Sequence, residues 1–244
     1  MANQTISLNA VNIDSNTTQF TLNASSLEQL NLGGSSPIVV VIDSDDISTE
    51  TISNTNSDAT LWLSGADTDL TQVATSLKVR LKNFDGNTLT IKDNQDFYLD
   101  AEFDQTAATA VPVFDHITDA TALTTNAIAL KTFDSDTSNG DATLAIAGLT
   151  FTDIQTVNLQ LLSAIGLDSS ADITGADLTS VVVTGSGAFD LNSNTISGSS
   201  TSRVTLDASA LSGVVTLYLD ATSNGVANVQ TGSAADVITI DGVT

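Results

Sequence analysis

Between Leu149 and Leu191 one short apolar figure occurs twice, and it limits what the chain can fold into more than any other feature. Ile154, Val157 and Leu159 stand at n, n+3 and n+5, and Leu178, Val181 and Val183 repeat the spacing 24 residues later. The last two members alternate as a half-buried strand requires. The first lies across a two-residue step, where a corner lets a third side chain turn into the same core. Asp, Ser, Thr, Gly and Ala fill the interval, with no heptad and no long amphipathic helix. A chain that coils in short strands and turns has this pattern.

The figure recurs elsewhere. Leu27, Leu30 and Leu32 carry it near the N-terminus. Two variants have one extra residue at the step: Val73, Leu77, Val79, Leu81 and Leu211, Val215, Leu217, Leu219. Their flanks agree, since FTLNASSLEQLNL (20–32) and VTLDASALSGVVTLYL (204–219) share T-L-[ND]-A-S-x-L. The intervals are uneven, 24 residues from Ile154 to Leu178 and 33 from Leu178 to Leu211, so the repeat is degenerate and interrupted by insertions. The expected fold is all-β, a right-handed parallel β-helix or a pair of β-solenoid domains. The alternative is β-sandwich domains whose strands look alike because strands do.

Charge narrows the function. Lys plus Arg total 6 against 29 Asp plus Glu, for a net charge of −23. The only Glu residues are Glu28, Glu50 and Glu102, so the acidity is almost all Asp, a residue of turns and of hard-cation sites. Nothing here neutralises a run of phosphates, which argues against nucleic acid. With 41% hydrophobic residues and many β-branched ones, the chain has the material of a folded core. It has no cysteine, so stability must come from packing, metal or assembly. The start, MANQTISLNAVNID, lacks the basic and apolar regions of a secretory signal, and the longest apolar run, Pro37–Ile42, is far below the ~18 residues of a membrane span.

Residues 1–104 read as a β-rich, solenoid-like part. Residues 105–131 are Ala-rich with weak alternation and read as a linker or cap. Residues 132–244 return to the strand–turn rhythm. The most metal-like stretch is FDSDTSNGDATLAI, where Asp134, Asp136, Ser138, Asn139 and Asp141 cluster around Gly140 and could wrap one Ca²⁺. It is not an EF-hand, because Asn139 stands where that loop needs glycine and no Glu closes it. A solvated Asx turn is the competing reading. At 231–242, TGSAADVITIDG fits the G-G-x-G-x-D-x-U-x calcium nonapeptide at Gly232, Asp236 and Ile238, with Asp241 nearby, and departs from it at Ala234. Four of the six cations fall between 78 and 92, and Lys78, Arg80 and Lys82 alternate along one strand. They form either a guarded edge or a binding spot for an acidic neighbour or a surface polysaccharide. With His116 alone and no cysteine, a catalytic triad is ruled against, and the chain is read as not an enzyme. Trp62, Tyr98 and Tyr218 are scattered too widely in sequence to suggest a sugar platform.

FTDIQTVNLQLL (151–162), DLTSVVVTGSGAFDLNSN (177–194) and the stretch 204–240 resemble bacterial surface-layer proteins and the large repeats-in-toxin-like adhesins exported by type I secretion. Asp207, Ala208, Ser209, Leu211 and Gly213 carry the "D-A-S-x-L-x-G" line, while Gln155 replaces an acidic residue of the "I-E-T-V-N-L" line. The resemblance implies an extracellular, Ca²⁺-dependent, all-β structural protein that assembles with copies of itself into a surface lattice or filament. A calcium-dependent adhesin module binding a surface glycan is the alternative, and a polysaccharide-degrading β-helix enzyme a third.

Overall fold

Short runs of Val, Ile, Leu and Thr bounded by Asp, Asn, Ser and Gly are too brief for stable helices and well suited to a pleated, half-buried surface. In the computed structural model they become strands, and among the described residues every strand pairing is parallel. The described residues are 4–10, 18–22, 27–43, 51–64, 67–81, 88–92, 95–100, 113–116, 126–133, 143–146, 148–162, 166–169, 172–191, 194–198, 203–220 and 225–241. Ten strands form one continuous sheet, hereafter the long sheet: β2 (Thr18–Leu22), β4 (Ile38–Asp43), β6 (Ala59–Ser64), β8 (Lys78–Leu81), β10 (Asp96–Asp100), β12 (Ala127–Phe133), β15 (Thr156–Leu161), β18 (Ser180–Gly185), β21 (Val204–Asp207) and β23 (Val226–Gln230). Three more, β1 (Gln4–Ala10), β3 (Leu27–Gly34) and β5 (Thr51–Asn54), form a small N-terminal sheet. A six-stranded sheet holds β7 (Thr68–Asp69), β9 (Thr88–Ile91), β11 (Val113–His116), β14 (Leu149–Thr152), β17 (Ile173–Gly175) and β20 (Ile196–Ser197). A five-stranded sheet holds β13 (Thr143–Ile146), β16 (Gly166–Ser169), β19 (Phe189–Asp190), β22 (Val215–Asp220) and β24 (Val237–Asp241).

Neighbours in every sheet run parallel and come from successive turns of the coil: β15 pairs with β12 on one side and β18 on the other. This is the parallel β-solenoid expected from the repeat, and it leaves no place for a sandwich of antiparallel sheets. The repeated figure stacks upon itself. Val157 lies opposite Val181 and Leu159 opposite Val183. Ile154 and Leu178 are buried at the preceding corners. There the amides of Thr179 and Ser180 donate to the Gln155 carbonyl at 2.9 and 3.0 Å, fastening one turn to the next.

One alignment drawn from the sequence is corrected. The next turn of this figure in the long sheet is Val204–Asp207, with Val181 opposite Leu206. The Leu211 group instead enters the five-stranded sheet, where Val215 lies opposite Phe189, and Leu211 bridges to Gly185. Of the shared T-L-[ND]-A-S core, FTL of β2 and VTL of β21 both lie in the long sheet, while residues 23–26 lie outside the described residues. The uneven intervals are turns of unequal length. Register offsets are 18 residues from Lys78 to Asp96, 33 from Asp96 to Ala129 and 24 from Thr156 to Ser180.

Inward-facing side chains form one core cluster running from Leu30 to Leu217. Within it stands an aromatic column. Phe97 meets Phe114 edge-on, and Phe114 stacks on Phe151, each at 5.7 Å between ring centroids. Phe114 belongs to β11, inside the segment read as linker or cap. Of that segment, residues 113–116 and 127–131 are strands of the six-stranded and long sheets, while 105–112 and 117–125 lie outside the described residues.

Successive turns touch closely enough to dictate glycine at particular corners. Gly185 has φ of 109°, and a Cβ there would lie 2.2 Å from the Leu161 carbonyl oxygen. At Gly232, the residue that matches the calcium nonapeptide, a Cβ would lie 1.8 Å from the Leu211 oxygen. Its place in the sequence is accounted for by backbone contact between turns.

Candidate functional site

Alternation along the long sheet puts Leu61, Val79, Phe97 and Leu130 inside and sends their neighbours outward. Parallel register then lines up outward residues that are far apart in sequence. Trp62 lies opposite Arg80, Arg80 opposite Tyr98, and Tyr98 opposite Lys131. Beside this column runs another, in which Thr60 lies opposite Lys78, Lys78 opposite Asp96 and Asp96 opposite Ala129. The reading of Trp62 and Tyr98 as scattered is therefore corrected: they flank one arginine on adjacent turns.

The Arg80 guanidinium carbon sits 4.3 Å from the centre of the Trp62 ring, and the residue is only 8% exposed. A guanidinium stacked on an indole keeps its planar donor edge while its face is desolvated, an arrangement a lysine cannot reproduce. Lys131 stands 5.3 Å from the Tyr98 ring centre and donates to Asp96 Oδ2 at 2.6 Å. Burial alone would lower the Lys131 pKa; the hydrogen bond to Asp96, with the nearby Tyr98 and Asp96 charges, outweighs it and holds the ammonium above its ordinary value. Lys78 lies 3.6 Å from Asp58 at an exposed pair.

Two depressions open on this face. Thr60, Lys78, Arg80 and Tyr98 line a small cleft of about 50 Å³. A larger recess of about 270 Å³ is lined, among the described residues, by Gln95, Asp96, Ala127, Ile128, Ala129 and Asn158. β10 lines both, the cleft with Tyr98 and the recess with Asp96. Gln95 anchors the strand from below. It is buried, its amide donates to the Leu70 carbonyl at 3.0 Å, and its oxygen accepts from the Lys92 amide at 3.2 Å.

Of the residues singled out in the sequence, Lys78 and Arg80 belong to this face, and Lys82 lies outside the described residues. Asp134, Asp136, Ser138, Asn139 and Asp141 also lie outside them. Asp236 Oδ1 accepts the Val215 amide at 2.9 Å, tying the last turn to the one before. Asp241 lies in β24 opposite Asp220. Among the described residues no three His, Cys, Asp or Glu side chains gather as a metal site. Sequence reasoning missed the roles of Trp62, Tyr98, Asp96 and Lys131. A signal existed for two of them: Trp62 and Tyr98 each stand 18 residues from Arg80, the local length of one turn.

No family model matches the chain, and no curated protein and no solved structure matches it.

Proposed function

We propose that this protein is a structural subunit, a β-solenoid that assembles with copies of itself in a surface layer or filament outside a bacterial cell, with calcium offsetting its charge. The observation that carries the reading is the edge formed by β24. That strand has one neighbour among the described residues, β22, and exposes Val237 (53%), Ile238 (41%) and Ile240 (59%). Ile238 stands opposite Leu217, which is 2% exposed, so the row of core side chains opens at this edge. An apolar, unpaired parallel strand is a template for another strand. Joined to a different edge of a second copy it makes a head-to-tail contact, which propagates as a filament unless rotation closes it.

The calcium part rests on the net charge of −23 and on the Asp134–Asp141 stretch of the sequence. Like charges on neighbouring copies repel, and a divalent ion between carboxylates relieves this. Export as a type I substrate accords with the resemblance of residues 149–244 and with folding that calcium promotes outside the cell.

Light scattering and thermal unfolding, in millimolar Ca²⁺ and in chelator, test this reading. Assembly and a higher melting temperature are expected with calcium. The Ile238→Lys/Ile240→Lys variant is expected to melt at nearly the same temperature and to remain monomeric. A wild-type chain that stays monomeric under both conditions would sink the proposal.

A further inference from the structure

We infer that the recess over β12, on the outer face of the long sheet, binds one neutral pyranose ring of a saccharide. This surface is separate from the β24 edge, and the inference does not depend on assembly.

Strand register builds the recess. On β12 the outward residues Ala127 and Ala129 stand either side of Ile128, which points into the core and is 2% exposed. Asp96 of β10 lies opposite Ala129 on one side, and Asn158 of β15 lies opposite it on the other. Two methyl side chains between longer ones leave a trough whose walls stand two strand spacings apart, about 9.6 Å. Lys131, the next outward residue of β12, stands at one end, its ammonium on Asp96 Oδ2 at 2.6 Å and 5.3 Å from the centre of the Tyr98 ring. Gln95 supports the Asp96 wall from beneath, since its amide and its oxygen are taken up by the Leu70 carbonyl and the Lys92 amide. The volume of about 270 Å³ lies just below the range of sites for drug-sized ligands, which suits a single ring.

The walls select the chemistry of the occupant. The exposed Asn158 carboxamide offers two donors and an acceptor, while the Asp96 carboxylate only accepts and keeps lone pairs beyond the one that meets Lys131. A hydroxyl both donates and accepts, so neighbouring ring hydroxyls satisfy both walls, with a charge-assisted hydrogen bond to Asp96. The methyl floor meets the C–H face of a ring lying flat on the sheet. Other occupants fit less well. An anionic group would face the Asp96 carboxylate within the field of a chain of net charge −23. A metal ion or an ammonium would compete with Lys131 for Asp96. An extended peptide finds no backbone partner, because β12 already pairs with β10 and β15 on its two sides.

The test uses the full chain with the methyl pyranosides of glucose, galactose and mannose as probes, and galacturonate as the anionic control. Binding is followed by saturation-transfer difference NMR and by titration calorimetry. At least one methyl pyranoside is expected to receive saturation, strongest at the ring C–H protons of one face, and galacturonate is expected to bind more weakly than the galactoside. Asn158→Ala changes an exposed side chain and is expected to weaken binding about fivefold, the effect of one hydrogen bond. Ala129→Tyr fills the trough and is expected to abolish binding. Unchanged circular dichroism and melting temperature establish that both variants are folded. Absence of saturation in all three pyranosides, or saturation that neither variant reduces, overturns the inference. Galacturonate binding more tightly than the galactoside also overturns it, by making a cation and not the Asp96–Asn158 pair the recognising group. The Ile238→Lys/Ile240→Lys variant is expected to bind the sugar as the wild type does, which separates this result from the fate of the assembly reading.

Discussion

Aspartate is the residue this chain uses most distinctively, and several of its carboxylates serve as backbone acceptors. Asp67 Oδ1 accepts the Thr88 amide at 2.6 Å and Asp172 Oδ1 the Thr195 amide at 2.8 Å, each reaching the next turn of the coil. Asp236 reaches back in the same way to Val215. At each of these places a strand start would otherwise present an unpaired amide, and a short acidic side chain satisfies it without a longer turn. Asp69 and Asp207 do the equivalent within a turn, to Thr71 at 2.8 Å and Ser209 at 3.0 Å. Hydrogen bonds from the Ser209 hydroxyl, and then from its amide, hold the Asp207 carboxyl below its ordinary value. A folded-state pKa below the unfolded one contributes stability at pH above the unfolded value, lost as pH falls through the folded value. Carbon-detected NMR titration is expected to place the Asp207 midpoint below that of an exposed aspartate, and Ser209→Ala to move it up. An Asp207 midpoint unmoved by Ser209→Ala would refute the assignment.

Among the elements, strand type and the inward apolar rows were legible in the sequence because period-2 alternation is a direct imprint of the pleat. Ile154, Val157 and Leu159 over Leu178, Val181 and Val183 stack as their spacing implies. What alternation does not carry is the identity of the sheet. The Leu211 group has the same spacing as Val73, Leu77, Val79 and Leu81, whose strand lies in the long sheet, yet it belongs to the five-stranded one, so apolar spacing alone does not assign a strand to a sheet. The Trp62–Arg80–Tyr98 column was hidden for a related reason: its members are outward residues of different strands and meet only through register. The Asp134–Asp141 stretch, the strongest metal reading in the sequence, lies outside the described residues. The Ala-rich region shows the limit most clearly. Val113–His116 is too short a run to signal a strand, yet Phe114 is fully buried between Phe97 and Phe151. Phe114→Ala removes the central ring of this column and is expected to cost ~3–5 kcal/mol in denaturant unfolding. A loss below ~1 kcal/mol would mean that the column does not support the core.

For the whole molecule, the continuity of the core across residues 105–131 has a consequence for unfolding. The long sheet passes from β10 to β12 to β15 with no missing pairing, and the aromatic column crosses the same place. In a solenoid each turn contacts only its neighbours, so stability is the sum of turn and interface contributions, and two halves unfold together only while the interface between them is strong. Here four parallel strand pairings, β9–β11, β11–β14, β10–β12 and β12–β15, and the Phe97–Phe114–Phe151 column bridge the two halves, so the N-terminal turns should sense damage in the C-terminal ones. Trp62 lies in β6, well before the Ala-rich region, and Leu178 is buried well after it. Leu178→Ala removes buried methyl groups and is expected to cost ~2–5 kcal/mol locally. If the halves are coupled, the denaturant midpoint read by Trp62 fluorescence falls with this substitution and coincides with the midpoint read by far-ultraviolet circular dichroism. If residues 105–131 separate two independent domains, the Trp62 transition stays where it is in the wild type, and the dichroism curve splits into two steps. The continuous pairing argues for the first outcome, and a split curve would show that the strand pairings across this region contribute little to holding the two halves together.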